Sequence, residues 1–274
     1  MTINCNGKLI DLTSPKVMGI LNVTPNSFFD GGKHANEKAI LIQVEKMLLE
    51  GATFIDIGGY SSKPSAEFVS EEEELQRLVP VIKDVVKEFP EIILSVDTFR
   101  SKVAQESVEN GASIINDISA GNLDAKMLET VAKLRVPYIM MHMKGTPQTM
   151  QSLAQYENIV KEMLFYFSQK IAQARSLGIN DLILDPGFGF AKTLEQNFEV
   201  LSKLELFQMT ELPLLVGISR KSMIYKTLET TAEFALNGTT SLNTISLLKG
   251  AKILRVHDVK EAVECVKLHQ QLNK

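Results

Sequence analysis

The chain has 274 residues, 45% of them hydrophobic, and a formal net charge of −4 at pH 7. That is enough to bury a large core, as one α/β barrel or two ordinary domains, while the acidic balance excludes a general nucleic-acid or membrane-surface binder, which needs a broad basic face. No basic segment followed by an apolar stretch opens the chain and no apolar run approaches about 20 residues. The two cysteines, Cys5 and Cys265, have neither CxxC nor metal-ligand spacing, so the expectation is a soluble cytoplasmic protein with reduced thiols and no zinc site.

Taken in chain order, Met18 to Asn22 reads as a buried strand that breaks at Pro25 into a polar, aromatic and glycine-rich loop ending at Gly32. Phenylalanines at 28 and 29 are costly on a loop unless they close over something, so with Asn22 and Asp30 beside them this stretch is expected to belong to a site. A helix over 36–50 stops at Gly51, a strand covers Thr53 to Ile57, and Gly58 to Ser65 forms a second loop rich in glycine and serine. Ser70 followed by Glu71 to Glu74 reads as a capped helix start with a solvated acidic run, and apolar periodicity continues to Val85.

The remaining units repeat this order. Strands are expected at Ile92–Val96, Ser113–Ile115, Pro137–Met141, Leu182–Leu184, Leu214–Val216 and Lys252–His257. Helices are expected at 101–110, 124–134, 156–177 and 194–209, then as segments reaching Lys249, and finally over 259–272. Roughly eight strand–helix units with continuously apolar strands specify an all-parallel sheet, and hence a single TIM barrel domain over residues 1–274. An open doubly wound sheet would carry a phosphate fingerprint such as GxGxxG after its first strand, where this chain has Asn-Val-Thr-Pro.

In such a barrel the chemistry sits at the C-terminal strand ends, where this chain places Asn22, Asp97, Asn116, Asp185, Lys221, Arg255 and His257. Arg255 and His257 are two apart on a strand and share a face, so they can converge on one anion; barrel closure brings Asn22 next to them, where its amide oxygen could bind a magnesium ion carried by a diphosphate. The plainer alternatives are a structural ion pair for Arg255 and a capping role for His257. Asp97, Asn116 and Asp185 suit a planar, donor-rich heterocycle, because a carboxylate accepts parallel N–H bonds from an amidine-like edge; Lys221 could donate to its carbonyl. Helix N-capping is the alternative for the two aspartates. Met140 to Met143 reads as a core strand with His142 as its polar tip and a ring-packing wall.

These motifs, in order GILNVTPNSFFDGG, SVDT, IND, DPGFGF, GISRKS and RVHD, resemble bacterial dihydropteroate synthases over essentially the whole chain. The resemblance implies an enzyme that condenses 6-hydroxymethyl-7,8-dihydropterin diphosphate with p-aminobenzoate, giving 7,8-dihydropteroate and pyrophosphate in folate synthesis, with magnesium as cofactor and a homodimer as the assembly. It also implies that Asp97, Asn116, Asp185 and Lys221 hold the pterin, with Ile118, Met141 and Gly217 packing around the ring. Asn22, Ser62, Lys63, Arg255 and His257 match the diphosphate-binding positions, Asn22 also contacting magnesium with Asp30 as a further ligand. Phe28, Ser62, Pro64, Phe190 and Ser222 match the aminobenzoate pocket. The pattern departs most in the second loop, where Tyr60-Ser-Ser-Lys-Pro64 stands in place of ESTRP, and Asn26 replaces an aspartate in the first. Lys63 keeps arginine's charge without its planar fork. Two other classes stay open at this level: a barrel moving a methyl group from a reduced folate to a corrinoid protein, which has no need of Arg255 and His257, and a non-catalytic binding module.

Overall fold

A computed structural model describes residues 1–23, 33–60 and 69–272. Eight parallel strands close into a barrel: β3 (Lys16–Asn22), β4 (Phe54–Gly58), β5 (Leu94–Asp97), β6 (Ile114–Asp117), β7 (Tyr138–Met141), β8 (Leu182–Asp185), β9 (Leu214–Val216) and β10 (Ala251–Val256). Closure pairs β10 with β3, Arg255 opposite Met18, so the first and last strand ends are neighbours, as expected. The helices are α1 (Lys33–Leu49), α2 (Glu71–Glu88), α3 (Ser101–Glu109), α4 (Met127–Leu134), α5 (Ile159–Ser176), α6 (Leu194–Ser202), α7 (Ser222–Thr227), α8 (Leu236–Leu248) and α9 (Val259–Leu272).

Alternation along each strand divides the side chains between two cores. Val17, Ile55, Leu94, Ile115, Tyr138, Leu182, Leu214 and Leu254 pack with the helices in the outer core. Met18, Phe54, Ile114, Ile139, Ile183, Leu215 and Ile253, with Ile93 just before β5, fill the inner floor. Both faces of every strand are therefore apolar at this level, which is why the strands read as continuous apolar runs.

The floor is sealed by an element the sequence reading passed over: a hairpin of β1 (Thr2–Cys5) and β2 (Lys8–Asp11), which adds Ile3, Cys5, Ile10 and Leu12 to the inner cluster. Its signal was present as Asn6-Gly7, whose φ of 51° and 87° are the left-handed pair that a two-residue hairpin turn requires. Cys5 is buried and unpaired in this seal, and burial pushes its thiol up to about 12.

Two further expectations are corrected. The helix read as continuous over 194–209 ends at Ser202, where Lys203 leaves helical geometry (φ −117°, ψ 19°), and a tighter 3₁₀ segment follows over Leu204–Thr210. Ser70 does cap α2, accepting from Glu73 N at 3.2 Å, but the acidic run is not all solvated. Glu74 is buried and ion-paired with Arg100, whose guanidinium also donates to the carbonyls of Val69 and Ser70.

Candidate active site

Four polar groups of the site lie two residues beyond an apolar floor residue on the same inward face, Asp56 above Phe54, Asn116 above Ile114, Asp185 above Ile183 and Arg255 above Ile253, while Asp97 follows Ile93 on that face with the buried Ser95 between them. The barrel thus changes from hydrocarbon to charge within one layer. Arg255 Nε donates to Asp56 at 2.6 Å and its Nη2 to Asp97 at 2.7 Å, while Asn116 Nδ2 donates to the same Asp56 oxygen at 3.0 Å. Arg255 is therefore an ion-paired residue of the polar layer as well as a strand-end group. Its side chain does not form an isolated anion pair with His257, which instead turns to Ser219.

Burial raises the Asp97 carboxyl above the ordinary range, Asp56, Glu74 and Asp117 add to this, and Arg255 opposes it. Burial likewise raises Asp185, against the pull of Lys221 and the Gly187 N–H. Lys221 is lowered to about 8 by burial, with Asp185 holding it up. Burial also works against the Arg255 charge, but Asp56 and Asp97 secure it above its ordinary value. The site is a desolvated set of two acids and two bases in which Arg255 is already paired with Asp97.

Neither aspartate is a helix cap. Helix α3 has Arg100 at its N-cap with no side-chain cap bond, and Ser101 N is bonded by Asp124 at 2.7 Å. Asp185 Oδ1 accepts from Gly187 N at 2.7 Å inside the loop after β8. That loop wraps the buried Lys192, whose ammonium donates to Gly187 O (2.9 Å) and Phe190 O (3.0 Å) and meets His142 Nδ1 (3.1 Å). Gly187, at φ 68°, cannot be replaced, since a Cβ there would lie 2.3 Å from His142 O. Lys221 reaches the same loop, donating to Phe188 O, and lies 4.9 Å from the Phe190 ring centroid.

Beside the polar layer stands an apolar wall of Ile118, Met141, Met143, Met150 and Ala191, with Phe99, Leu123 and Phe190 against it. The expected ring-packing residues Ile118 and Met141 and the expected pocket residue Phe190 thus converge. Gly217 opens the side of β9, where an added Cβ would sit 3.8 Å from Arg255 Cβ. At the outer mouth, the His257 backbone N–H donates to Ser219 Oγ at 3.1 Å, and the same Oγ lies 3.0 Å from His257 Nδ1; burial, then Arg255, lowers the imidazole to about 4, keeping it neutral. Arg220 makes a two-pronged bond to Asp258 (2.8 and 2.7 Å), clamping the loop that carries Lys221 and Ser222 to the residue after His257. Asn22 is exposed at the end of β3. Phe28, Asp30, Ser62, Lys63 and Pro64, with Asn26, lie outside the described residues.

Sequence reasoning missed Asp56, Lys192, Ser219 and Arg220. Asp56 had a signal: a carboxylate inside an apolar strand is costly unless it is partnered. The other three are set by the loops of neighbouring strands meeting, which no local pattern marks. A groove outside the mouth, lined by His142, Lys144, Tyr156 and Tyr166, is already self-satisfied, Lys144 pairing with Glu162 at 3.1 Å and lying 3.6 Å over the Tyr156 ring.

A family model described as pterin binding enzyme matches residues 18–257, from within β3 to the residue after β10. The chain is 44% identical over 270 residues to the dihydropteroate synthase of Escherichia coli K12, covering 98% of this chain and 95% of that one. Among solved structures it superposes on Yersinia pestis dihydropteroate synthase in complex with a sulfonamide drug (TM-score 0.93, 43% identity, 100% and 99% of the two chains). It superposes as well on the Xanthomonas albilineans enzyme with 4-aminobenzoic acid (TM-score 0.92, 37% identity, 99% and 98%). With a closed parallel barrel, a charged layer facing its C-terminal mouth and likeness along the full chain, the protein belongs to the dihydropteroate synthase family.

Proposed function

We propose that this barrel mouth joins 6-hydroxymethyl-7,8-dihydropterin diphosphate to p-aminobenzoate, releasing pyrophosphate, in the cytoplasm as the family's step of folate synthesis. The observation that carries the reading is the convergence of Asp97, Asn116, Asp185 and Arg255 on one inward layer beside the Ile118–Met141 wall. The acceptors match the N–H edge of a pterin and the wall matches its flat face. Incubating the protein with both substrates and magnesium, and measuring pyrophosphate and dihydropteroate, tests it; no product above a no-enzyme control sinks it.

The aromatic amine is already a neutral nucleophile, so the difficult event is departure of the diphosphate from the pterin methylene carbon. Asp97 and Asp185, as anions, stabilise the ring as it becomes electron-poor, and Lys221 donates to the ring carbonyl. Neutral His257 and the donors of Arg255 not committed to Asp56 and Asp97 face the departing group. A magnesium ion carried by a diphosphate takes most of its oxygens from diphosphate and water, and the exposed Asn22 amide at the end of β3 offers one protein oxygen. Asn22 would hold it, with Asp30 as a further ligand, and the ion would neutralise leaving-group charge. Phe28, Ser62, Pro64, Phe190 and Ser222 are the proposed aminobenzoate contacts.

His257→Ala is expected to weaken binding of the pterin diphosphate by about tenfold while leaving free hydroxymethylpterin within about twofold, because the imidazole lies at the mouth and not in the polar layer. Calorimetry with the two ligands checks this, and equal losses would assign His257 to the fold instead. Lys63 is proposed to contact the diphosphate in arginine's stead. Lys63→Ala should then reduce the coupling between aminobenzoate and pyrophosphate–magnesium binding, a coupling of about 1–3 kcal/mol, whereas Lys63→Arg keeps or improves it. An intact coupling in Lys63→Ala removes that role.

A homodimer is proposed as the assembly, supported by exposed apolar side chains on two adjoining helices, Ile245 and Leu248 on α8 and Leu268 and Leu272 on α9. Sedimentation of a monomer at micromolar concentration would remove it. No described helix is long and apolar enough to cross a membrane.

A further inference from the structure

We infer that Asp56 is a positioning residue that determines ring specificity: by taking the Asn116 side-chain N–H, it commits the Asn116 carbonyl oxygen to the ligand as a hydrogen-bond acceptor. The inference rests on the reading of the mouth as a pterin site.

An asparagine amide is ambivalent, presenting either an acceptor or a two-proton donor depending on a half-turn about its last torsion. A carboxylate is not ambivalent, because an ionised one only accepts. Asp56 is fully buried and its Oδ2 lies 3.0 Å from the Asn116 side chain, so the atom of Asn116 facing it must be the nitrogen. The same Oδ2 accepts Arg255 Nε at 2.6 Å, and that ion pair keeps the Asp56 carboxylate available as an acceptor. Asp56 therefore selects one of the two amide orientations, and its selection turns oxygen, not nitrogen, away from the carboxylate. The consequence is an acceptor in a layer where Asp97 and Asp185 are acceptors too, all of one sense toward a donor-rich ring edge.

Two further features separate Asp56 from an ordinary structural anion. Its other oxygen, Oδ1, is buried without a hydrogen-bond partner, as is the hydroxyl of Ser95, its register neighbour on β5. Such orphaned atoms are costly, and a group kept merely for stability would be replaced at less cost by a hydrocarbon like those on the floor below. The next inward position of β4 is Gly58, which places no side chain between Asp56 and the mouth. The carboxylate thus lies directly under the ligand-facing layer, joined to β6 and β10, neither of which is a neighbour of β4 in the sheet.

The test measures binding of two probes by calorimetry: 6-hydroxymethylpterin, and the same ring lacking its 2-amino group. Wild type is expected to favour the amino ring by at least about 100-fold, since a site built to accept N–H bonds rejects a ring lacking them. Asp56→Asn can donate as well as accept, so it releases the Asn116 amide to turn. Discrimination should fall to about tenfold or less, with the desamino ring changing less than about threefold. Asn116→Ala, which removes the atom through which Asp56 acts, should lose the same discrimination, and the double variant should lose no more than either single one. Thermal melting shows that each variant is folded, and Asn116→Ala decides the matter if Asp56→Asn is not. Equal losses for both rings, or full discrimination retained in either folded variant, overturns the inference. Wild type that binds neither ring overturns the pterin reading, and this inference with it; wild type that discriminates alongside an Asp56→Asn that discriminates equally overturns this inference alone.

Discussion

Arg255→Ala is expected to weaken hydroxymethylpterin as well as its diphosphate and to destabilise the unliganded protein by about 3–5 kcal/mol, the range for removing one partner of a buried charge network. Strand spacing alone puts Arg255 with His257 on the diphosphate, and would spare the free pterin. The geometry says otherwise, because Arg255 neutralises Asp56 and Asp97 together through Nε and Nη2, with its own side chain largely buried. Without it two carboxylates share a desolvated layer, and Asp97, whose carboxyl burial already raises, takes up a proton and loses its value as an acceptor. Arg255→Lys should recover part of the stability but not the affinity, since one ammonium cannot reproduce two fixed N–H directions. Urea melts and calorimetry on both variants check this. An Arg255→Ala protein with wild-type stability and wild-type pterin affinity would show that the ion pairs carry nothing.

Asp185→Asn is expected to leave folding nearly unchanged and to cost about 2–5 kcal/mol of pterin affinity. The reason lies in the Gly187 N–H, which Asp185 Oδ1 accepts at 2.7 Å. In the asparagine variant the retained carbonyl oxygen keeps that bond, so the new NH₂ group is turned toward the ring's own N–H edge, donor against donor. Stability and binding therefore separate in a single isosteric change. Unchanged affinity with an intact melting temperature would remove Asp185 from the pterin site, while collapse of the fold would make its bond to the loop the dominant role.

The convergence of Ile118, Met141 and Phe190 was legible because each lies at or just beyond a strand end, and strand ends in a parallel barrel gather at one mouth. The same reasoning placed Asn22 beside the last strand, and the β10–β3 pairing puts it there. It failed for Asp56 because the residue sits within a strand, two positions before its end, where only depth inside the barrel distinguishes a site carboxylate from a misplaced one. Lys192 was out of reach for a different reason: its three partners come from the loop after β8 and from His142, and nothing in local periodicity records where two loops touch.

Period and punctuation in the sequence by themselves determined the eightfold strand–helix repeat, the closed parallel barrel and the end at which chemistry collects, because burial on both faces forces apolar strands and the chain must leave the sheet in polar loops. The motifs determined the family. What only the tertiary structure decided is which charges meet. Arg255 joins Asp56 and Asp97 in the polar layer, the Asn116 amide donates to Asp56, Glu74 is buried against Arg100, and Asn6-Gly7 turns a hairpin that closes the floor. Each of these depends on contacts between residues far apart in the chain, where hydrogen-bond direction and desolvation act across the barrel, and neither quantity is written in the spacing of residues along one strand.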